Sequence, residues 1–254
     1  MRVVFLGTGT SYGVPMIACD CAVCRSTDPR DQRMRPSIVV ELADGVSVLV
    51  DTTPDLRMQA LRCGLRRVDA ILYTHAHADH VFGLDDVRRF NAINGSPMPV
   101  YAAAGTVDEI RARFGYAFST AKPEAGGRPQ LSLWNLGGRF CFGREEIVPV
   151  PIMHGRDGIL GFRLGGLGYL TDCSGIPESS MALLEGLEVL VLDALRRRPH
   201  PTHFSVDQAV EMAGRIGARA TYFTHICHDL GHAETCAALP PGMALAYDGL
   251  TLEL

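Results

Sequence analysis

Residues 74–80 read THAHADH, directly after the apolar run AILY (70–73) and directly before VFGLDDVRRF (81–90). The run before has strand composition and the run after has helical spacing, so the segment is a strand-to-helix turn at the end of a sheet, where α/β proteins commonly place their sites. In an extended turn His75 and His77 stand two residues apart and project to the same side. Asp79 and His80 follow where the chain bends into the helix. Imidazole nitrogens and a carboxylate converging from one rigid corner suit Zn, Mn or Fe. Histidines that merely hydrogen-bond in a polar loop would not require this density.

Working outward, short β-branched and apolar runs recur at 3–6, 37–42, 46–50, 70–73, 99–102, 147–152, 158–164, 189–192, 220–223 and 243–247, and each reads as a strand. Between them, helical spacing covers roughly 54–64, 81–93, 105–116, 178–185, 205–217 and 230–238, several opened by Pro, Asp, Ser or Thr. The class is α/β. Asp44-Gly45 predicts a hairpin between the second and third strands, because the dipeptide tolerates the positive φ of a tight turn. Residues of about 117–131, with prolines and paired glycines, predict a surface loop or lid over the pocket. No linker and no repeat divides the chain, so 1–254 reads as a single domain.

With 254 residues, 47% of them hydrophobic, the chain can bury a sizeable core. The formal net charge of −4 gives no general attraction to phosphate polymers or anionic membranes, which disfavours long nucleic acid as a partner. The opening apolar run is too short for a signal-peptide core and nothing approaches a membrane span, so the expected location is cytoplasmic, with thiols kept reduced. A homodimer is the default assembly.

GTGTSYG (7–13) invites a nucleotide-loop reading, but the sixth position, where a dinucleotide fingerprint needs glycine, is Tyr12, and Pro15 and a cysteine cluster follow where a phosphate-capping helix should begin. A tight turn leaving the first strand is the better reading. Of the eight cysteines, Cys19, Cys21 and Cys24 have the spacing C-x-C-x2-C, close enough to share one soft cation. Three thiolates leave a tetrahedral zinc one ligand short. Cys227, His228 and His232 of ICHDLGH are the candidates for the fourth.

The sequence resembles the metallo-β-lactamase-fold hydrolases, whose signature THAHADH matches, and the resemblance runs over almost the whole chain. It implies a four-layer αββα sandwich with metals at one edge of two packed sheets. Its further matches are Asp51 in VLVDTTPDL, His154 in PIMHG, Asp172 in GYLTDCSG and His225 in YFTHICHD. The resemblance implies one divalent metal on His75, His77 and His154, a second on Asp79, His80 and His225, and Asp172 bridging both, the ions being Zn or Mn. Asp79 thereby belongs to the catalytic residues, and Asp51 would orient ligand histidines from behind.

FLGTGTSYGVP, the cysteine cluster after it and the late T-H-x-x-H element narrow the similarity to the phosphoribosyl cyclic phosphate phosphodiesterases of phosphonate metabolism and their relatives. That subgroup implies a structural zinc in the loop near 15–30, held by Cys19, Cys21, Cys24 and His228. RRRPHPTHFSVDQAVEMA (196–213) places His203 just before a helix, where the phosphodiesterase and tRNA-processing branches carry a histidine that protonates the leaving oxygen; His200 is the rival. Arg196, and with it Arg197 and Arg198, is either a solvated basic turn or an aid to phosphate binding.

The expected function is hydrolysis of a small cyclic or nucleotide-like phosphodiester, such as a phosphoribosyl cyclic phosphate. A tRNA 3'-end endoribonuclease shares the motif but usually needs a protruding basic arm. A glyoxalase-type thioester hydrolase would need neither the cysteines nor His203. In a non-catalytic protein the metals would only brace a binding module.

Overall fold

A computed structural model describes residues 1–119 and 127–254. The first sheet is built from β1 (Arg2–Gly7), β2 (Ser37–Glu41), β3 (Ser47–Val50), β4 (Ala70–Leu72), β5 (Met98–Ala102) and β6 (Leu131–Asn135). The second takes β7 (Phe140–Phe142), β8 (Glu145–His154), β9 (Asp157–Leu164), β10 (Leu167–Leu170), β11 (Val189–Asp193), β12 (Ala220–Thr224) and β13 (Met243–Leu245). The chain then returns as β14 (Thr251–Glu253) to the outer edge of the first sheet, beside β1. Strand orders are β14-β1-β2-β3-β4-β5-β6 and β13-β12-β11-β10-β9-β8-β7. The helices are α1 (Leu56–Cys63), α2 (Ala78–Val81), α3 (Arg88–Asn94), α4 (Ala104–Arg113), α5 (Glu178–Met181), α6 (Val206–Ile216) and α7 (His232–Ala238).

The strands are apolar at successive positions because both faces of each sheet are covered. In β1, Val3 and Phe5 enter the layer between the sheets, while Val4 and Leu6 face the helices outside the first sheet. In β11, Val189 and Val191 share that inner layer, and Leu190 and Leu192 meet the helices on the far side. Two sheets back to back with helices outside each make the expected four-layer αββα sandwich. No helix among the described residues is long and apolar enough to cross a membrane.

The ten expected strands are all present, and the Asp44-Gly45 hairpin closes with Gly45 at φ 82°. Four strands escaped the sequence reading. β7, β10 and β14 have only three or four residues, too few to show a period. β6 starts at Leu131, so the expected loop over 117–131 ends earlier than predicted, and Gly115–Phe118 is a turn of 3-10 helix; residues 120–126 of that loop lie outside the described residues.

The helix expected over 81–93 is instead broken into α2, a 3-10 turn at Leu84–Val87, and α3. The cause is Gly83. A Cβ there would lie 1.9 Å from the Thr53 carbonyl oxygen. The chain passes that close because Thr52 N–H donates to the His80 carbonyl (2.8 Å) and Gly83 N–H donates to the Thr52 carbonyl (2.9 Å). A continuous helix would forfeit this clamp between the histidine motif and the end of β3.

GTGTSYG is a turn, as expected, and its first two glycines serve close packing. A Cβ on Gly7 would meet the Arg35 carbonyl at 2.0 Å, and one on Gly9 the Arg33 carbonyl at 2.8 Å.

Candidate metal centre and active site

The carboxyl ends of β3, β4, β10, β11 and β12 and the end of β8 meet along one edge of the sandwich. Just beyond β3, β10 and β12 stand Asp51, Asp172 and His225, with φ of 64°, 56° and 58°. Non-glycine residues rarely enter this left-handed region, and its use at three positions of one site marks backbone bent to aim side chains inward.

Ligand atoms of His75, His77 and His154 lie within 4.8 Å of one another, and so do those of Asp79, His80, Asp172 and His225. Asp172 also groups with His154 and His203, so it stands between the two sets. The rings of His75 and His80, one from each set, are 4.2 Å apart between centroids. Asp172 offers Oδ2 to His80 Nε2 and Oδ1 to His225 Nε2, both at 3.1 Å. The structure thus gathers all seven residues that the sequence singled out.

The outer nitrogens explain which faces point inward. Asp51, fully buried, accepts from Thr74 N–H (2.9 Å) and Thr74 Oγ1 (2.8 Å) and sits 2.7 Å from His80 Nδ1. His154 Nδ1 donates to the Asp172 carbonyl at 2.9 Å. His75 Nδ1 is 3.0 Å from Thr74 Oγ1. Each contact fixes a tautomer that leaves Nε2 for the centre.

Among the described residues, buried His75 Nε2 and His225 Nδ1 have no hydrogen-bond partner, and the 3.1 Å approaches of Asp172 to His80 Nε2 and His225 Nε2 lack hydrogen-bond geometry. Leaving such atoms bare is costly, and a cation-binding role accounts for them. The donor set of imidazoles and carboxylates fits Zn or Mn.

Protonation points the same way. Burial favours the neutral form of Asp172, but the His225 and His80 imidazoles beside it prevail and hold it well below the usual carboxylate range. Burial opposes charge on His225 too, yet Asp172 pushes its pKa up to about 10. His75, buried and next to His80, is held well below the ordinary imidazole value. His80 is likewise raised well above the ordinary imidazole value, burial being outweighed by the Asp172, Asp51 and Asp79 carboxylates around it.

The sequence reasoning missed Asp193, the last residue of β11. It is fully buried, and its Oδ2 lies 2.6 Å from His203 Nδ1. Burial raises the Asp193 carboxyl above its usual range, and His203 opposes that rise. The signal was available, since VLVLD ends in an acid as the strands before Asp51 and Asp172 do. His203 is 9% exposed, and its ring lies 4.6 Å from that of His225 and 4.8 Å from that of His154. Ser205 caps α6 in a reciprocal pair with Gln208, which fixes the chain just after His203. His200 lies farther out, its ring 5.1 Å from that of His203.

A cleft of about 250 Å³ opens beside His203 and His225. Its lining includes the turn at Thr10–Gly13 with Met16, and Leu195, Arg196, Arg198 and His200. Arg196 reaches this cleft, but its Nε and Nη2 donate to the carbonyls of Arg198 and Pro199, so it also braces its own loop. Arg197 pairs with Glu234 and Arg198 with Asp229 near the surface.

The cysteine cluster lies behind two residues of the lining, Met16 and His228. Sulfurs of Cys19, Cys21 and Cys24 lie 3.2, 3.5 and 3.6 Å from His228 Nδ1, a compact set of four soft and borderline donors. Of the three candidates for the fourth position, His228 is the one in this group; Cys227 Sγ accepts from Asp229 N–H, and His232 Nε2 lies 3.6 Å from Cys236. Cys21 is lowered to about 7, chiefly by the Cys24 N–H. The loop is held to the segment after β12 by Arg33, whose fully buried guanidinium pairs with Asp31 at 2.7 Å and donates to the carbonyls of Leu230 (2.7 Å) and Cys227 (3.0 Å).

Comparison with known proteins follows this geometry. The family described as Beta-lactamase superfamily domain matches residues 47–226. A solved structure described as a new diphosphatase from the PhnP family superposes with a TM-score of 0.92 at 48% identity, covering 100% of this chain and 97% of that one. Zn(2+)-bound PqqB from Methylobacterium extorquens superposes with a TM-score of 0.81 at 20% identity, covering both chains fully, which is a likeness of fold. An octanoyltransferase of Porphyromonas gingivalis is 39% identical over 98% of this chain, which spans 51% of that relative's length.

Proposed function

The chain belongs to the β-lactamase superfamily, and from that membership we propose that it is a dinuclear metal-dependent phosphodiesterase acting on a small cyclic or nucleotide-like phosphodiester, such as a phosphoribosyl cyclic phosphate. The observation that carries this reading is His203: nearly buried, backed by Asp193 at 2.6 Å, and beside the rings of His154 and His225. A histidine so placed is a proton donor for an alkoxide leaving group. A thiolate leaves without such help, which argues against a thioester substrate. The similarity to a PhnP-family diphosphatase supports hydrolysis at phosphorus.

His75, His77 and His154 would hold one ion, Asp79, His80 and His225 the other, and Asp172 would contact both. When bound, two such cations supply Lewis acidity toward a phosphoryl oxygen and lower the pKa of a shared water. The chain's own residues do the rest. Asp51 and Thr74 keep Nε2 of His80 and His75 turned inward, Asp193 keeps His203 Nε2 as the proton-donating atom, and Arg196 lines the cleft where a phosphate would lie. A structural zinc on Cys19, Cys21, Cys24 and His228 would stiffen the loop that carries Met16. The cleft volume of about 250 Å³ suits a sugar phosphate far better than an RNA helix.

The test is turnover by Zn- or Mn-loaded protein of bis(p-nitrophenyl) phosphate and of 2',3'-cyclic nucleotides, with the ring-opened monoester as product. No turnover of either, together with hydrolysis of a thioester panel or salt-sensitive binding of pre-tRNA, would overturn the proposal.

A further inference from the structure

Tyr12 is the aromatic residue in the lining of the cleft, and the proposed chemistry leaves it unused. It lines the same cavity as His203, and 72% of its surface is exposed. The turn that carries it is not loose. Gly13 N–H donates to the Thr10 carbonyl at 2.8 Å and Tyr12 N–H to Thr10 Oγ1 at 3.2 Å. Val14 and Arg33 exchange both backbone hydrogen bonds, at 2.8 and 2.7 Å. Arg35 donates to the Ser11 carbonyl at 2.9 Å while its guanidinium is gripped by Asp55 at 3.0 Å. Past the turn, Met16 N–H points at Cys24 Sγ, 3.3 Å away, so the wall is fastened to the cysteine cluster as well.

A rigid backbone holding an exposed aromatic ring at a cavity mouth is the arrangement that binds a planar partner with little loss of conformational entropy. The neighbouring surfaces agree. Met16 and Leu195 give the cleft apolar faces, while Arg198 and His200 add polar groups to its lining. A phosphate beside His203 therefore leaves the outer cleft to something flat, apolar on its faces and polar at its edge.

We propose that Tyr12 is the specificity platform of the cleft, stacking on the nucleobase of a nucleotide substrate. This rests on the phosphodiester reading and names the substrate class within it: a phosphodiester that carries a base is preferred over a bare sugar phosphate. Tyr12 touches neither the reacting phosphorus nor the metal donors, so its contribution is to binding.

The test compares two probes with the same 2',3'-cyclic phosphate, adenosine 2',3'-cyclic phosphate and the base-free methyl riboside 2',3'-cyclic phosphate, on metal-loaded wild type, Tyr12→Ala and Tyr12→Phe. For the adenosine probe, Tyr12→Ala should raise KM about tenfold, the low end for a base stacked on an aromatic ring, with kcat nearly unchanged. The base-free probe should show no change, and Tyr12→Phe should resemble wild type. Equal losses on both probes, or an unchanged KM for the adenosine probe, overturn the platform while leaving the phosphodiester reading standing. Binding of adenosine 2'-monophosphate by titration calorimetry separates the two claims. If wild type turns over neither probe, the phosphodiester reading falls; a Kd weakened roughly tenfold in Tyr12→Ala still upholds the platform, and an equal Kd or no binding by wild type removes it.

Discussion

Replacing Asp193 by asparagine tests the proton donor without dismantling the metal centre. The carboxylate contacts His203 Nδ1 at 2.6 Å in a fully buried position, so the contact is a charge-assisted hydrogen bond shielded from solvent. Such bonds contribute roughly 1.5–3 kcal/mol. At about 1.4 kcal/mol per tenfold, their loss in the transition state lowers the rate about 10- to 150-fold. Asparagine keeps the shape and an acceptor oxygen, and it relieves the burial of a charge, so the fold should hold. The assay is kcat/KM for a 2',3'-cyclic nucleotide, whose departing alkoxide needs a proton, beside bis(p-nitrophenyl) phosphate, whose departing phenolate does not, with metal content measured on the same samples. The cyclic nucleotide should suffer the full loss and the nitrophenyl ester little. Asp193 and His203 also group with His225 as possible metal donors. A variant that loses an ion, or that slows equally on both substrates with metals intact, would refute the assignment of Asp193 as the residue that orients and stabilises the proton donor.

His203→Ala should go further, costing about 10²–10⁴ in kcat on the cyclic nucleotide with unchanged metal content by elemental analysis. His80→Ala leaves the buried Asp51 and Asp172 carboxylates facing each other without their shared partner, and urea unfolding should show a loss of about 3–5 kcal/mol, as when one member of a buried pair is removed. Cys21→Ser should reduce metal content by about one equivalent per chain while sparing the two at the active site, and should lower Tm, because a soft four-donor site loses a thiolate. Burial pushes the Asp248 carboxyl up to about 6 despite the N–H groups of Met34 and Thr8 that it accepts. Its folded pKa exceeds the unfolded value, so the native state holds the proton more tightly and this group adds stability as pH falls from 6 toward 4. In Asp248→Asn, urea unfolding across that window should lose this gain, about 3 kcal/mol at most.

The metal centre was legible because THAHADH packs four donors into one strand-to-helix turn, and the family resemblance of that motif carried Asp51, Asp172 and His225, each of which follows a strand. Asp193 obeys the same pattern but lies ten residues before its partner His203, and without the fold nothing links the two. The outline of both sheets was legible for a related reason, since buried strands are apolar on both faces. The short edge strands β7 and β14 bury too little to leave a mark. The break at Gly83 was invisible because its cause is the Thr53 carbonyl, a backbone atom thirty positions away that no side-chain pattern encodes. The same holds for Tyr12, which reads locally as a failed glycine and only in space as the rim of a cleft.

The two sheets share the donors: His75, His77, Asp79 and His80 follow β4, whereas His154, Asp172 and His225 follow strands of the other sheet. During synthesis from the amino terminus, the trio His75, His77 and His154 is complete long before His225 leaves the ribosome, and β14 closes the first sheet only with the final residues. On the proposed assignment of two ions, loading would therefore be ordered in time, the first ion riveting the half-made seam and the second sealing it once β12 has arrived.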